Sequence, residues 1–316
     1  MQYNILGKTN INVSRLGFGL AEIMRHDRVG DVPESETVLN MALDNGINFL
    51  DTASCYGDTE ELIGSAVSTR RAEYTLATKC CGHSNLNSIT DHINNQGDVR
   101  DFTEYFWTGE AVENSINTSL ERLKTDYLDI VQLHSCNLNV LNKTDVIDSL
   151  INAKIAGKTR FIGYSGDNAE AIWATKSGIF DTLQTSYNIV DQNAQDNLFD
   201  LAKNQNMGVI IKRPIANAVW RKSSSTWTYG DEYLKRAQVL SKEGNLPFEP
   251  EDPILFSMGF VLSEPMVHTA IIGTHNPKHL LSNIALIDES LLLKSETIEE
   301  VKKRFQQVDE DWPQLM

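Results

Sequence analysis

A (β/α)8 TIM barrel carrying an N-terminal β-hairpin is the fold this sequence predicts. Eight short apolar runs recur along the chain with helical patterns between them, which is the arrangement of a parallel sheet closed on itself and wrapped by helices. A doubly wound sheet is the competing architecture, and its phosphate-binding fingerprint is incomplete here. Gly17-Phe18-Gly19-Leu20-Ala21-Glu22 holds two of its glycines and a glutamate where the third belongs.

The elements follow in order. Residues 3–6 and 11–13 are short apolar-bearing runs joined across Gly7-Lys8-Thr9-Asn10, a turn-rich tetrad that predicts a hairpin. Strands are predicted over 16–20, 47–50, 75–78, 128–133, 160–163, 182–185, 209–211 and 269–272. Between them, Val38, Leu39, Ala42 and Leu43 share one helical face that starts near Pro33 and stops at Asn45-Gly46. Val112, Ile116, Leu120 and Leu123 mark a second helix after Thr108, and Val146, Ile147, Leu150, Ile151 and Ile155 a third ending at Gly157. Leu198, Leu201 and Ala202 mark a fourth before Gly208. The stretch 216–252, with Trp220, Trp227 and Tyr229, predicts a long loop holding one helix near 231–241. No low-complexity linker divides the chain, so 1–316 is expected to form a single barrel domain.

Composition narrows the function. With 316 residues, 41% hydrophobic and 22% charged, the chain can bury a sizeable core. A net charge of −15 argues against nucleic acid or an acidic membrane surface as partner. The N-terminal residues lack the apolar core of a signal peptide, and no apolar run approaches the ~18–20 residues of a membrane span, so a cytoplasmic protein is expected. Cys55, Cys80, Cys81 and Cys136 show neither zinc-site spacing nor a disulfide framework, which suits a reducing compartment and no metal.

Four polar residues stand at or just past the ends of adjacent strands, where barrels of this kind place catalytic groups. Asp51 follows residues 47–50, Tyr56 comes five residues later, Lys79 ends the third strand and His134 the fourth. Alternation puts Ile130, Gln132 and His134 on one strand face, so His134 should point into the barrel. Taken singly, each of the four is better explained as a cap or packing residue. Together and in order they converge on one site.

At these positions the chain resembles the aldo-keto reductase family over nearly its whole length. The likeness is carried by LGFG, NFLDTASCYG with TEELIG, LATK, SLERLKTDYLDIVQLH, GYSGD, LQTSYN and TAIIGTHNPKHLLSN. It implies an NAD(P)(H)-dependent oxidoreductase that reduces an aldehyde, ketone or sugar carbonyl, or oxidises the alcohol, by hydride transfer. Tyr56 would then be the general acid/base, Lys79 the cation that polarises it, Asp51 the partner of Lys79, and His134 the group that orients the carbonyl. Moving a tyrosine pKa from ~10 to neutrality takes ~4 kcal/mol, and an ammonium ~4 Å away at an effective dielectric of ~20 supplies about that much.

By the same resemblance Ser165 and Gln184 would grip the nicotinamide carboxamide. Two departures stand beside them: Gly166 where the family commonly has asparagine, and Lys212 where many members stack a tyrosine. Lys212 or Arg213 is expected to meet cofactor phosphates instead, with a solvated Lys-Arg pair as the alternative, and Asp167 or Asn168 to replace the missing amide. Thr274, Lys278, His279 and Asn283 would hold the adenosine end, where Asn276-Pro277 starts a helix. His279 stands where many members carry arginine, which implies NADP(H) with NAD(H) as the alternative. His26, Trp107 and the Trp220–Trp227 loop are candidate pocket walls, with the tryptophans as lids on the barrel core the equal alternative. A cofactor-binding regulatory or sensor subunit on the same fold is the competing function. All four cysteines are expected at the barrel mouth as small loop residues, with oxidation or soft-metal binding there as the sharper alternative.

Overall fold

A computed structural model describes residues 1–21, 23, 32–82, 106–225, 228–289, 293–308 and 312–315. Its centre is a closed barrel of eight strands: β3 (Leu16–Gly19), β4 (Phe49–Asp51), β5 (Thr75–Cys80), β6 (Leu128–His134), β7 (Thr159–Ser165), β8 (Thr182–Ser186), β9 (Gly208–Lys212) and β10 (Thr269–Ile272). Each pairs in parallel with its sequence neighbours, and β10 closes the ring against β3 through Ala270 and Leu16. The predicted strands all form. The second of them, β4, begins at Phe49 instead of residue 47, because the Asn48 side chain is drawn down to the hairpin, where it accepts from Ser14 N at 2.6 Å and donates to Asn12 O at 2.9 Å.

The hairpin, β1 (Tyr3–Ile5) and β2 (Asn12–Ser14), plugs the N-terminal end of the barrel. Leu6, Ile11 and Val13 pack against Phe49, Ala77, Ile130 and Ile210, the inward residues of four strands, so the barrel interior is a filled core. Gly7 makes this contact possible. It sits at φ +49°, and a Cβ there would stand 2.5 Å from Gly208 N.

Helices surround the barrel: α1 (Val32–Asp44), α2 (Thr59–Ala66), α3 (Gly109–Arg122), the single turn α4 (Leu138–Leu141), α5 (Thr144–Ile155), α6 (Asn168–Ser177), α7 (Asp200–Asn204, continuing a π turn at Gln195–Phe199), α8 (Thr228–Ser241), α9 (Pro253–Leu262), α10 (Pro277–Glu289) and α11 (Ser295–Val308). Thr108 caps α3 by accepting from Ala111 N, as its place before the periodic run suggests. The helix in the 216–252 stretch forms and starts earlier than expected, at Thr228.

Helix α9 is absent from the expected elements for a physical reason. Phe256, Ser257, Met258, Gly259, Phe260, Val261 and Leu262 are all buried, so no polar face marks the period. Asp252 caps it through Ile254 N and Leu255 N. Trp220 turns out to belong to this layer. It is 6% exposed, packs 5.3 Å from the Phe256 ring and donates to Glu249 Oε1 at 2.8 Å, which makes it a core lid and not a pocket wall. Trp107 is likewise buried and closes against Gly82 at the end of β5. His26 and Trp227 lie outside the described residues. No helix among the described residues is long and apolar enough to cross a membrane.

Candidate active site

The mouth of the barrel is built on the ends of β4, β5 and β6. Asp51 is the last residue of β4, and the chain beyond it keeps running along β5: Thr52 N donates to Ala77 O at 2.9 Å and Ser54 N to Lys79 O at 3.1 Å. This extension carries Tyr56 over the end of β5. Thr59 then turns the chain into α2, its hydroxyl donating to Tyr56 O at 2.6 Å. Glu60, buried at the start of α2, accepts from Thr78 Oγ1 at 2.7 Å and ties that helix to the outer face of β5. The motif TEELIG is therefore the clamp that seats the tyrosine loop, a role its helical pattern alone did not reveal.

Strand alternation turns Asp51, Lys79, Gln132 and His134 inward, while Thr78 and Cys80 face the helices. Lys79 Nζ donates to Asp51 Oδ1 at 2.6 Å and to Thr52 O at 2.8 Å, and it is 1% exposed. The same ammonium lies 5.1 Å from the centre of the Tyr56 ring. Tyr56 and His134 meet edge to face, ring centres 5.7 Å apart. The four predicted residues thus come together.

The polar chain extends further than expected. Gln184 Nε2 donates to Asp51 Oδ2 at 2.7 Å, and Ser165 Oγ donates to Gln184 Oε1 at 3.0 Å. Ser165 and Gln184 are thereby coupled to the same carboxylate that holds Lys79.

Burial lowers the affinity of Lys79 for its proton, but Asp51 and Tyr56 more than offset this, and its pKa lies above the usual lysine value. Tyr56 departs from expectation. Burial raises its pKa, and the downward pull of Lys79, opposed by Asp51, does not overcome that. Proximity to the cation therefore leaves the phenol protonated instead of bringing it to neutrality, because loss of hydration is the larger effect.

The remaining predicted residues separate into two groups. Thr274, Lys278, His279 and Asn283 lie at the start of α10, with Lys278 and His279 exposed and Asn276 Oδ1 capping through Lys278 N at 2.9 Å. Lys212 and Arg213 turn toward β8 instead. Lys212 Nζ pairs with Asp167 Oδ2 at 2.8 Å. Arg213 donates to Leu315 O and, at 3.4 Å, to Ser186 Oγ.

Asp167 is fully buried, and its Oδ1 accepts from Ser186 N at 2.7 Å and Thr185 Oγ1 at 2.9 Å. Its carboxylate is thus engaged by Lys212, Ser186 and Thr185. Gly166 has its own cause: a Cβ there would stand 2.4 Å from the Tyr164 hydroxyl, which donates to Cys136 O at 2.9 Å.

Unanticipated in the sequence is the C-terminal segment, which lies on this rim. Gln314 Nε2 donates to Ser186 O at 2.8 Å and to Thr185 Oγ1 at 3.2 Å, and Asn168 Nδ2 donates to Gln314 O at 3.1 Å. Leu315 N donates to Asp191 Oδ2 at 3.2 Å, as does the Tyr233 hydroxyl at 3.3 Å. Burial, reinforced by the nearby charge of Asp167, pushes Asp191 up to about 7.

A carboxyl that holds its proton more tightly when folded costs stability as pH rises from its unfolded value near ~4, and the loss is complete above about 7. Asp191→Asn is therefore expected to flatten this decline. Its unfolding free energy should exceed that of the parent by about 2–4 kcal/mol at pH 8, with the gap narrowing as pH falls and closing only below pH ~4. Equal unfolding free energies at pH 8 would show that Asp191 ionises freely.

The cysteines correct another expectation. Cys55 and Cys81 are joined as a disulfide beside His134, whereas Cys80 and Cys136 point into the layer between barrel and helices. Burial pushes Cys80 up to about 12 and Cys136 higher still. Only two of the four sulfurs face the mouth.

Comparison with known proteins bears directly on this geometry. The model of the Aldo/keto reductase family matches residues 15–304. The chain belongs to that family. Its members are NAD(P)(H)-dependent carbonyl oxidoreductases, and the barrel, hairpin and strand-end site agree with that class. L-galactose dehydrogenase of Arabidopsis thaliana is 26% identical, covering 99% of this chain and 97% of its own. Aldo-keto reductase YhdN of Bacillus subtilis is 27% identical over 89% of this chain and 87% of its own. Among solved structures, aldo-keto reductase AKR11C1 of Bacillus halodurans in its holo form shares the fold at a TM-score of 0.77, with 23% identity and 96% of both chains covered.

Proposed function

We propose that the protein reduces an aldehyde, ketone or sugar carbonyl, or oxidises the corresponding alcohol, with Tyr56 as the proton donor and acceptor. The observation that carries this reading is the buried Lys79–Asp51 pair beneath the Tyr56 ring, with His134 across from it. When bound, a nicotinamide dinucleotide supplies or accepts the hydride.

The residues present fit such a group. On the first turn of α10, exposed Lys278 offers positive charge and exposed His279 a ring N–H to phosphates on a chain of net charge −15. Thr274 and Asn283 would complete that end, and Ser165 and Gln184 offer hydroxyl and amide groups at the nicotinamide end. Lys212 and Arg213 belong to the binding rim through Asp167, Ser186 and the C-terminal segment. Lys278 with His279 favours NADP(H) over NAD(H).

The phenol of Tyr56, kept protonated by burial, gives its proton to the oxygen that develops alkoxide character. Lys79 steadies the phenolate that remains, and Asp51 keeps Lys79 charged and aimed. His134 orients the carbonyl by donating a hydrogen bond. The likeness to an L-galactose dehydrogenase makes aldoses a first class to try.

Oxidation of NADPH and NADH in the presence of an aldehyde, ketone and aldose panel tests the reading. Carbonyl-dependent turnover faster with NADPH is the expected result. Tight cofactor binding with no turnover on any carbonyl or alcohol would instead identify a sensor subunit on this fold.

A further inference from the structure

We infer that the reduced protein carries a binding site for a zinc-class divalent cation at the barrel mouth, with Cys55 Sγ, Cys81 Sγ and His134 Nδ1 as its ligands. The three atoms come from three elements, the loop after β4, the end of β5 and the end of β6, and they lie within 4.8 Å of one another. The edges from the imidazole to the sulfurs are 3.5 Å to Cys55 and 3.2 Å to Cys81. A tetrahedral zinc with ~2.3 Å bonds to sulfur and ~2.0 Å to nitrogen needs about 3.5 Å along each such edge. Two of the three edges are therefore close to size already.

The third edge is closed in the structure, where the sulfurs are joined. Reduction by an external dithiol moves two electrons into that bond. It yields two cysteine thiols and the oxidised, cyclic disulfide of the reductant. The cation then displaces two protons, one from each thiol, while neutral His134 gives its Nδ1 lone pair, and the sulfurs part to about 3.8 Å. One coordination position remains for water, as in zinc sites with three protein ligands.

The surroundings suit such a site. Cys55 and His134 are half-buried, Cys81 is 7% exposed, and Gly57 and Asp58 next to them are exposed, which gives a path in from solvent. Cys80 and Cys136 are held away, buried, with Cys80 Sγ directed at Val112 O. Soft thiolates with one imidazole select zinc, cobalt or cadmium over magnesium or calcium. The consequence for catalysis rests on the function proposed above. A cation on Nδ1 stands at the barrel mouth beside Tyr56, where the carbonyl must enter, so metal loading and turnover exclude one another.

The test titrates the full chain, freshly reduced, with cobalt and then zinc. One equivalent of cobalt is expected to produce thiolate-to-metal charge-transfer absorption that zinc displaces. Protein oxidised with diamide is expected to show none. Cys55→Ser and Cys81→Ser should each weaken zinc binding by more than the ~10–100-fold that loss of a mere outer contact costs. Cys80→Ala should leave it unchanged. Absence of the charge-transfer band in the reduced protein, or its survival in the Cys55→Ser/Cys81→Ser double variant, overturns the site. Inhibition of turnover by zinc, reversed by a chelator, is read separately. A chain that binds cobalt but reduces no carbonyl would retain the metal site and lose the proposed function. A chain that turns over but gives no band would do the reverse.

Discussion

Tyr56→Phe is expected to lower kcat for carbonyl reduction by a factor of ~10²–10⁴ while leaving cofactor affinity within a few-fold of the parent. Phenylalanine keeps the ring that meets His134 edge to face at 5.7 Å and removes only the hydroxyl. Packing and burial are retained, so loss of rate reports loss of the proton. The size of the effect follows from the floor of the site being dry beneath the half-buried Tyr56 and His134 rings. Asp51 and Lys79 are nearly inaccessible to solvent, and water cannot easily replace the lost donor.

Lys79→Met is the companion measurement. It strips the cation from beneath the phenol and should cost a similar factor, and it also leaves Asp51 buried with Gln184 as its one side-chain donor among the described residues. Its thermal stability should fall as well, which Tyr56→Phe should not reproduce. Stopped-flow turnover with parallel cofactor-fluorescence titration separates the two. Unchanged kcat in Tyr56→Phe would remove the phenol from the chemistry.

The site was legible to the extent that it sits on periodic elements. Alternation along β6 is enough to send Ile130, Gln132 and His134 inward, and the structure bears this out: Ile130 and Gln132 are buried inside the barrel and His134 reaches Tyr56 at its mouth. Strand ends locate Asp51 and Lys79 for the same reason. Features set by contacts between distant segments were not legible. Gln314 meets Asn168 across 146 residues, and Gln184 meets Asp51 across 133. Neither segment carries a local pattern that names its partner. The pairing of Cys55 with Cys81 depends on how the loop after β4 is carried along β5, which backbone hydrogen bonds decide and spacing does not. The Tyr56 pKa was misjudged because a pairwise Coulomb argument contains no burial, and here burial is the larger contribution.

Removing the charge of Asp167 should be the most damaging single change outside the four tetrad residues. Burial alone would raise its pKa, but Lys212 Nζ at 2.8 Å and the Ser186 amide hold it below the usual carboxylate value. Its stabilising contribution is therefore present above the unfolded pKa near ~4 and fades as pH falls through its lower folded value. Lys212 is pulled the other way. Its own burial lowers its pKa, and Asp167 only partly restores it.

Asp167→Ala leaves that lysine without its partner and takes the acceptor from Ser186 N and from the Thr185 hydroxyl proton, so a loss of about 3–5 kcal/mol in unfolding free energy is expected at pH 7. The C-terminal segment should loosen with it, because Gln314 donates to Thr185 Oγ1 and Ser186 O on the same rim. Proteolysis near the C-terminus would report that loosening.

The double variant Asp167→Ala/Lys212→Met removes both charges and should recover part of the loss, because the cost of an unpaired cation disappears. Denaturant unfolding of the parent, both single variants and the double variant measures the coupling. Strict additivity of the two single changes would mean that the pair contributes no mutual stabilisation.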